Sequence, residues 1–357
     1  MLKEPVVVIN EAIIRSNIRT MADKASRNQL KLRPHFKTHQ SAEIGEWFRE
    51  QGINSCAVSS FKMAGYFAQH GWDDIMIAFP AVPALTGEYE KMAGQLKLYL
   101  FVSHPAILPF LKTIHTAVNI HIEIDTGHHR SGLDINDPAG ISELVQEINK
   151  AGNLNFTGFS IHAGETYQLR NKRELEAIDQ KNIRLRERLK SLYPKACISY
   201  GDTPSLSQLN RFEAVEELRP GNFVFFDIMQ YLLGSCRPRE IALKVACPVV
   251  AVYPEREQII VHGGAVHLSR ESVIDPTGKQ IYGLVEDPEK DNTFLENTVV
   301  ESLAQEHGVI KTTRDNMAKF SVGESLSIFP VHSCLTADMA SSYLEDQTGR
   351  IISKMQH

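Results

Sequence analysis

Between about Lys31 and Gly221 the chain alternates short apolar runs with amphipathic stretches, and this period constrains its fold more than any other feature. Eight strand-like runs can be read: KLRPHFKT (31–38), NSCAVSS (54–60), DIMIAFP (74–80), LKLYLFVS (96–103), VNIHIEID (118–125), LNFTGFSIH (154–162), ACISYG (196–201) and VEELRPG (215–221). Segments between them, such as AEIGEWFREQG, PAILPFLKTIHT and NKRELEAIDQKNIRLRERLKSL, carry apolar residues at three- and four-residue intervals among charges, which is the spacing of one helix face. Repeated βα units predict a parallel sheet. Eight of them predict an α/β fold built on a closed (β/α)8 TIM-like barrel with its functional groups at the C-terminal strand ends; a doubly wound open sheet is the competing architecture.

After about Ser235 the pattern changes to β-rich runs (ALKVACPVVAVYP, QIIVHGGAVHLS, ESLSIFPVHSC) separated by Gly, Pro and charged turns. This predicts a second, mostly antiparallel β domain. The domain reading is a barrel over 10–235 and a β domain over 236–357, with residues 1–9 able to join the latter; the strand Val6–Ile9 could pair with either. A chain of 357 residues, 43% of them hydrophobic, is long enough for one large core and a smaller one.

The formal net charge is −5 and the basic residues are scattered, so the chain lacks the positive footprint of a nucleic-acid binder. Nothing approaches the roughly 20 apolar residues of a membrane span. The apolar run at Val6–Ile9 is too short for a signal-peptide core. Five cysteines (Cys56, Cys197, Cys236, Cys247, Cys334), without paired short spacing, fit reduced thiols and a cytoplasmic location.

Six strand ends carry residues with chemistry to offer. RPHFKTH places Lys37 at the mouth of the first strand, where the plain alternative is a solvated surface lysine. Neighbouring positive charge and partial burial depress a lysine's pKa and suit it to imine formation, and Arg33, His35 and His39 are the expected sources. The fifth run leads through EIDTGHHRSG to Arg130, which could donate to an anionic ligand or pair with Asp125 or Asp134 in the turn. The sixth run ends at His162-Ala163-Gly164. The seventh and eighth end in Gly201-Asp202-Thr203-Pro204-Ser205 and Arg219-Pro220-Gly221-Asn222. Loops after the last two strands of a barrel commonly hold a phosphate, and Gly201, Thr203, Gly221 and Asn222 suit that task. In the β domain, FPVHSC ends an apolar run with His332 and Cys334 two residues apart, on one face of an extended chain. Imidazole with thiolate favours zinc. A buried Cys beside a core His is the plain alternative.

These segments, RPHFKTH, EIDTGHHRSG, HAG, GDTPS with RPGNFVFFD, and VHSCLTADM, together resemble the D-serine dehydratase and D-threonine aldolase family of alanine-racemase-like pyridoxal-phosphate enzymes. The resemblance spans residues 33 to 339. It implies that Lys37 carries pyridoxal 5'-phosphate as a covalent imine and is the catalytic base, and that Arg130, His162 and Tyr167 lie near the cofactor. Gly201, Asp202, Thr203, Gly221 and Asn222 would surround the phosphate. His332 and Cys334 would hold Zn2+, with Mn2+ or another divalent ion as substitutes, and no third protein ligand is identifiable. Cysteine at position 334, where aldolases tend to have aspartate, points to dehydration of a small D-3-hydroxy amino acid such as D-serine to a 2-oxo acid and ammonia. The alternatives are a metal-dependent D-threonine-type aldolase, an amino-acid racemase and a non-catalytic pyridoxal-phosphate carrier. The resemblance also implies a homodimer. Glu165 stands where relatives often have a second histidine, and His262 where an aspartate is common; both departures bear on the substrate.

Overall fold

The computed structural model describes residues 1–169 and 171–356. They divide into two compact units, one of Thr20–Lys37 and Gly45–Gly221, the other of Met1–Arg19, Thr38–Ile44 and everything from Asn222 onward.

In the first unit, eight parallel strands (Lys31–Leu32, Cys56–Val58, Asp74–Pro80, Lys97–Val102, Val118–Asp125, Leu154–Ile161, Cys197–Tyr200 and Glu217–Leu218) pair in sequence. The last returns to the first through Glu217–Lys31 and Leu218–Leu32. A bridge between His35 and Ala57, with Phe36 N–H donating to Ala57 O at 2.8 Å and Ala57 N–H to Pro34 O at 2.9 Å, joins the remaining ends. The ring is therefore closed, and the open sheet is excluded. The first and last ladders are shorter than their runs because Pro34 and Pro220 carry no N–H.

The helices start where their sequences provide caps. Asn171 accepts from Glu174 N–H at the head of Lys172–Leu192, whose inward stripe includes Leu175, Ile183 and Leu189. Asp137 does the same for Pro138–Lys150, which buries Ile141, Leu144, Val145 and Ile148. Inside the barrel, Ala57, Met76, Tyr99 and Phe101 form an apolar layer. Next to it Arg33, 1% exposed, pairs with Glu217 at 2.8 Å and Asp74 at 2.6 Å and lies 4.7 Å from the centroid of the Tyr99 ring.

The second unit is organised by the long strand Leu243–Tyr253. Its first half pairs antiparallel with Val6–Ile9 and with Ser325–Pro330; its second half, past a register shift at Val249/Ala251, pairs with Gln258–His262. From Ser325–Pro330 the sheet runs through Gly283–Glu286, Phe294–Leu303 and His307–Lys311 back to Gln258–His262, closing a six-stranded antiparallel barrel. Val6–Ile9 belongs to this sheet, and also pairs parallel with Ser342–Glu345. Among the described residues no helix is long and apolar enough to cross a membrane.

Candidate active site

Lys37 follows the first barrel strand and is the only exposed residue in the stretch 32–41. Its backbone N–H donates to His35 Nδ1 at 3.3 Å. His35 is buried, and burial first, then the positive charges of Lys37, Arg219 and Arg130 together with His162, hold it well below the ordinary histidine range. These residues therefore share one electrostatic neighbourhood. The expected sources of positive charge need correction. Arg33 is neutralised by Glu217 and Asp74, His35 is neutral, and burial pushes His39 down to about 3. The cations that reach this neighbourhood are Arg130 and Arg219.

The fifth strand leads into a loop wound round Asp125, whose carboxylate accepts from the N–H groups of Gly127, His128 and His129 at 2.9, 2.9 and 3.1 Å. With Asp125 so engaged, Arg130 is left exposed, its nearest carboxylate being Glu123 at 3.9 Å. Gly164, in the turn after the sixth strand, leaves room for the His128 ring, which a Cβ there would strike. His162 places Nδ1 2.6 Å from Gly201 O. A carbonyl can only accept, so Nδ1 carries the hydrogen and the Nε2 lone pair stays open. Burial and then the charge of Arg130 bring His162 down to about 3, so the ring is neutral.

The turn after the seventh strand has the features of an anion cradle. A Cβ on Gly201 would stand 2.7 Å from Arg219 O, so only glycine allows this approach. Thr203 Oγ1 is buried without a hydrogen-bond partner, and Thr203 N–H makes only a long contact, 3.4 Å, to Tyr167 Oη. A phosphate needs donors of this kind, close-packed backbone and nearby cations, and the Gly201–Thr203 turn fits it. Asp202 has a different part. Its Oδ1 accepts from Ser205 N–H at 2.6 Å and Thr166 Oγ1 at 3.0 Å, so its carboxylate shapes the turn; burial pushes it up to about 6 against those bonds. Gly221 closes the first unit.

Asn222 opens the second unit, and its amide turns to other partners: Nδ2 donates to Asp227 Oδ2 at 2.6 Å, to Ser333 Oγ at 3.2 Å and towards Cys334 Sγ at 3.5 Å. His332 and Cys334 are not on an extended strand. The strand ends at Pro330, and His332 occupies the N-cap of the helix Ser333–Met339. The pair is brought together by a helix start, with Thr38 Oγ1 3.3 Å from Cys334 Sγ. Asp227, fully buried, sets Oδ2 3.5 Å from His332 Nδ1 and takes Ser333 N–H on the same oxygen at 3.0 Å. Burial opposes a charge on His332, yet Asp227 and the Cys334 sulfur hold it up to about 9. The surroundings thus favour positive charge, and a divalent ion on imidazole and thiolate supplies it; the donor set fits zinc. The described residues offer no third ligand beside this pair.

Two residues here carry more than their sequence context signalled. Asp227 closes RPGNFVFFD, and nothing in its spacing marks it as the partner of a histidine over a hundred positions later. Arg219 is buried within the barrel, donating to Ser199 Oγ at 3.2 Å and to Ile161 O at 3.3 Å. A cation at the end of a strand otherwise closing in Pro-Gly was the available signal.

The alanine racemase N-terminal domain model matches residues 9–228 and the putative serine dehydratase domain model matches residues 242–345. D-serine dehydratase of Dictyostelium discoideum is 27% identical over 96% of this chain and 93% of its own length. D-threo-3-hydroxyaspartate dehydratase of Delftia sp. HT23 is 27% identical over the same shares, and its structure superposes with a TM-score of 0.91 at 26% identity, covering 100% of this chain and 98% of that one. A cysteine-to-alanine mutant of that enzyme has been solved in a metal-free form. D-threonine aldolase of Arthrobacter sp. is 25% identical over 62% of this chain and 61% of its own. With more than half of its length matched by one family model and its β domain by a second, the chain belongs to the alanine racemase N-terminal domain family, in the form that carries a serine dehydratase domain.

Proposed function

We propose that this protein is a pyridoxal-phosphate- and zinc-dependent dehydratase that converts a small D-3-hydroxy amino acid, such as D-serine or D-threo-3-hydroxyaspartate, to a 2-oxo acid and ammonia. The observation that carries the reading is the His332–Cys334 pair braced by buried Asp227, since a racemase or a cofactor carrier needs no such donor set. The names of the two full-length relatives support the same choice.

Pyridoxal phosphate, when bound, supplies an electron sink for the bond broken at Cα, and zinc supplies a Lewis acid for the departing hydroxyl. The protein's own groups do the rest. Lys37 Nζ would hold the cofactor, and as a free amine it would take the α-proton. Thr203 Oγ1 and the close backbone at Gly201 would hold the phosphate; Arg130, His162, neutral and bonded to Gly201 O, and Tyr167 would serve the rest of the cofactor. Asp227 sets its negative charge beside His332, and His332 with Cys334 would be the metal's donor pair. Thr38, the residue after Lys37, contacts Cys334.

The chain is proposed to work as a homodimer in the cytoplasm, for which its five unpaired thiols are suited. The aldolase reading keeps every part and differs in the bond broken. Incubating purified protein with D-serine, D-threonine and D-threo-3-hydroxyaspartate, with and without chelator, separates the two: chelator-sensitive keto acid supports dehydration, and glycine with an aldehyde in its place overturns it.

A further inference from the structure

The β domain holds a second cluster of metal-ligating side chains. His262 closes the strand Gln258–His262, His267 lies on the short helical turn Ala265–Leu268, and Glu306 sits at the tip between Phe294–Leu303 and His307–Lys311. One ligand atom from each lies within 4.8 Å of the other two, and neither His332 nor Cys334 is a member. Forty-four positions separate His262 from Glu306, so the cluster is a product of strand register: His262 pairs with His307.

The distances suit a shared cation better than direct contact. Glu306 Oε2 stands 3.5 Å from His262 Nε2 and 3.9 Å from His267 Nε2, too far for good hydrogen bonds. Donors on a tetrahedral zinc with bonds of about 2.0–2.1 Å stand roughly 3.3–3.5 Å apart, so small side-chain adjustments would complete the geometry. His267 is half-buried beside Glu306. Its Nδ1 is buried without a hydrogen-bond partner. Glu4, within electrostatic reach of His267, adds negative charge to balance a dication.

The backbone under these side chains is fixed before any ion arrives. Gly263 N–H donates to Glu306 O at 2.9 Å, Ala265 N–H to Ala304 O at 2.8 Å and Val266 N–H to Gln305 O at 3.2 Å. A Cβ on Gly264 would collide with Gln305 O, so glycine is what lets the hairpin tip approach. Two imidazoles and one carboxylate leave a coordination position for water, and this donor set is typical of zinc.

We infer that His262, His267 and Glu306 form a divalent-metal site of the zinc class, separate from His332 and Cys334, which ties the 304–306 tip to the end of the strand Gln258–His262. The inference does not depend on the proposed reaction. Its test uses full-length protein stripped with chelator, reloaded with a small excess of Zn2+ and desalted, with metal counted by mass spectrometry. A variant carrying His332→Ala and Cys334→Ala should keep one zinc per chain, and adding His262→Ala with His267→Ala should remove it. Glu306→Gln, at an exposed tip, serves as a second probe and should weaken retention. Loading the His332→Ala/Cys334→Ala protein with Co2+ should give visible ligand-field bands without the near-ultraviolet sulfur-to-metal charge transfer that a thiolate site shows. Loss of all zinc in the His332→Ala/Cys334→Ala protein, or an unchanged metal count after His262 and His267 are replaced, would overturn the site. If the wild type itself holds only the ion removed by His267→Ala, this site stands and the His332–Cys334 reading fails.

Discussion

Asp227 Oδ2 and His332 Nδ1 face each other at 3.5 Å inside the β domain, and the same oxygen accepts from Ser333 N–H, Ser333 Oγ and Asn222 Nδ2. A carboxylate held by three other donors cannot swing away from the imidazole. It therefore keeps a negative charge facing the ring, and Nε2 would be the nitrogen offered to a metal. Asp227→Asn keeps the Oδ1 acceptor for Gln230 N–H that starts the next helix but loses the charge. Zinc affinity should fall by roughly tenfold to a hundredfold, the usual effect of losing such a partner. Competition with a colorimetric chelator measures it, and an unchanged Kd would mean that Asp227 serves only the helix start and its bonds to Ser333 and Asn222.

Lys37 can be removed with little effect on folding, because it is exposed while its neighbours in 32–41 carry the packing. Lys37→Ala should change stability by no more than about 0.5 kcal/mol, as surface substitutions do. Cofactor absorbance and the borohydride-reducible adduct should both vanish. A reduced adduct recovered at another lysine would displace the assignment.

Thr203 presents a sharper contrast between apo stability and ligand affinity. Its hydroxyl is buried with no protein partner, so Thr203→Val should leave the cofactor-free protein as stable or slightly more stable. A hydrogen bond to a charged phosphate contributes about 1.5–3 kcal/mol, so pyridoxal phosphate should bind roughly tenfold to a hundredfold more weakly. Thermal unfolding of the apoprotein and fluorescence titration with the cofactor give the two numbers. Weaker folding with unaltered affinity would place the hydroxyl in the core and not in the cradle.

Much of this was legible from residue order because the βα period and the strand-end motifs are local. Eight runs gave the barrel, and RPHFKTH put Lys37 at its mouth. What was not legible depends on pairing between distant segments. Arg33 read as a cation beside Lys37, whereas Glu217, 184 positions on, and Asp74 claim it inside the barrel. His332 and Cys334 read as neighbours on a strand, but Pro330 ends the ladder and a helix begins. Val6–Ile9 found its place only once Leu243–Tyr253 offered an edge.

The Arg33–Glu217 pair makes a prediction with a definite sign. Burial alone would raise the Glu217 carboxyl, but Arg33, His121 and Lys31 bring it down to about 2 from its ordinary 4.5. A carboxylate with a depressed folded pKa contributes stability that is fully present above the unfolded value and is lost as pH falls towards the folded one. In the wild type, this contribution should be intact above about pH 4.5 and should fade between about 4.5 and 2. Arg33→Leu leaves Glu217 buried with Ser199 Oγ at 2.8 Å and the exposed Lys31 at 3.6 Å, with His121 and Arg219 still in electrostatic reach. Losing Arg33, the largest of the opposing charges, lets burial push the carboxyl up, so the loss towards acid shrinks: the variant should gain stability, relative to wild type, as pH falls from 7 to 4. At pH 7 it should be weaker by roughly 3–5 kcal/mol, the usual consequence of stranding one half of a buried ion pair. Urea unfolding at both pH values measures the difference, and a pH-independent gap between the two proteins would show that Arg33 acts through its packing on Tyr99 and not through its charge.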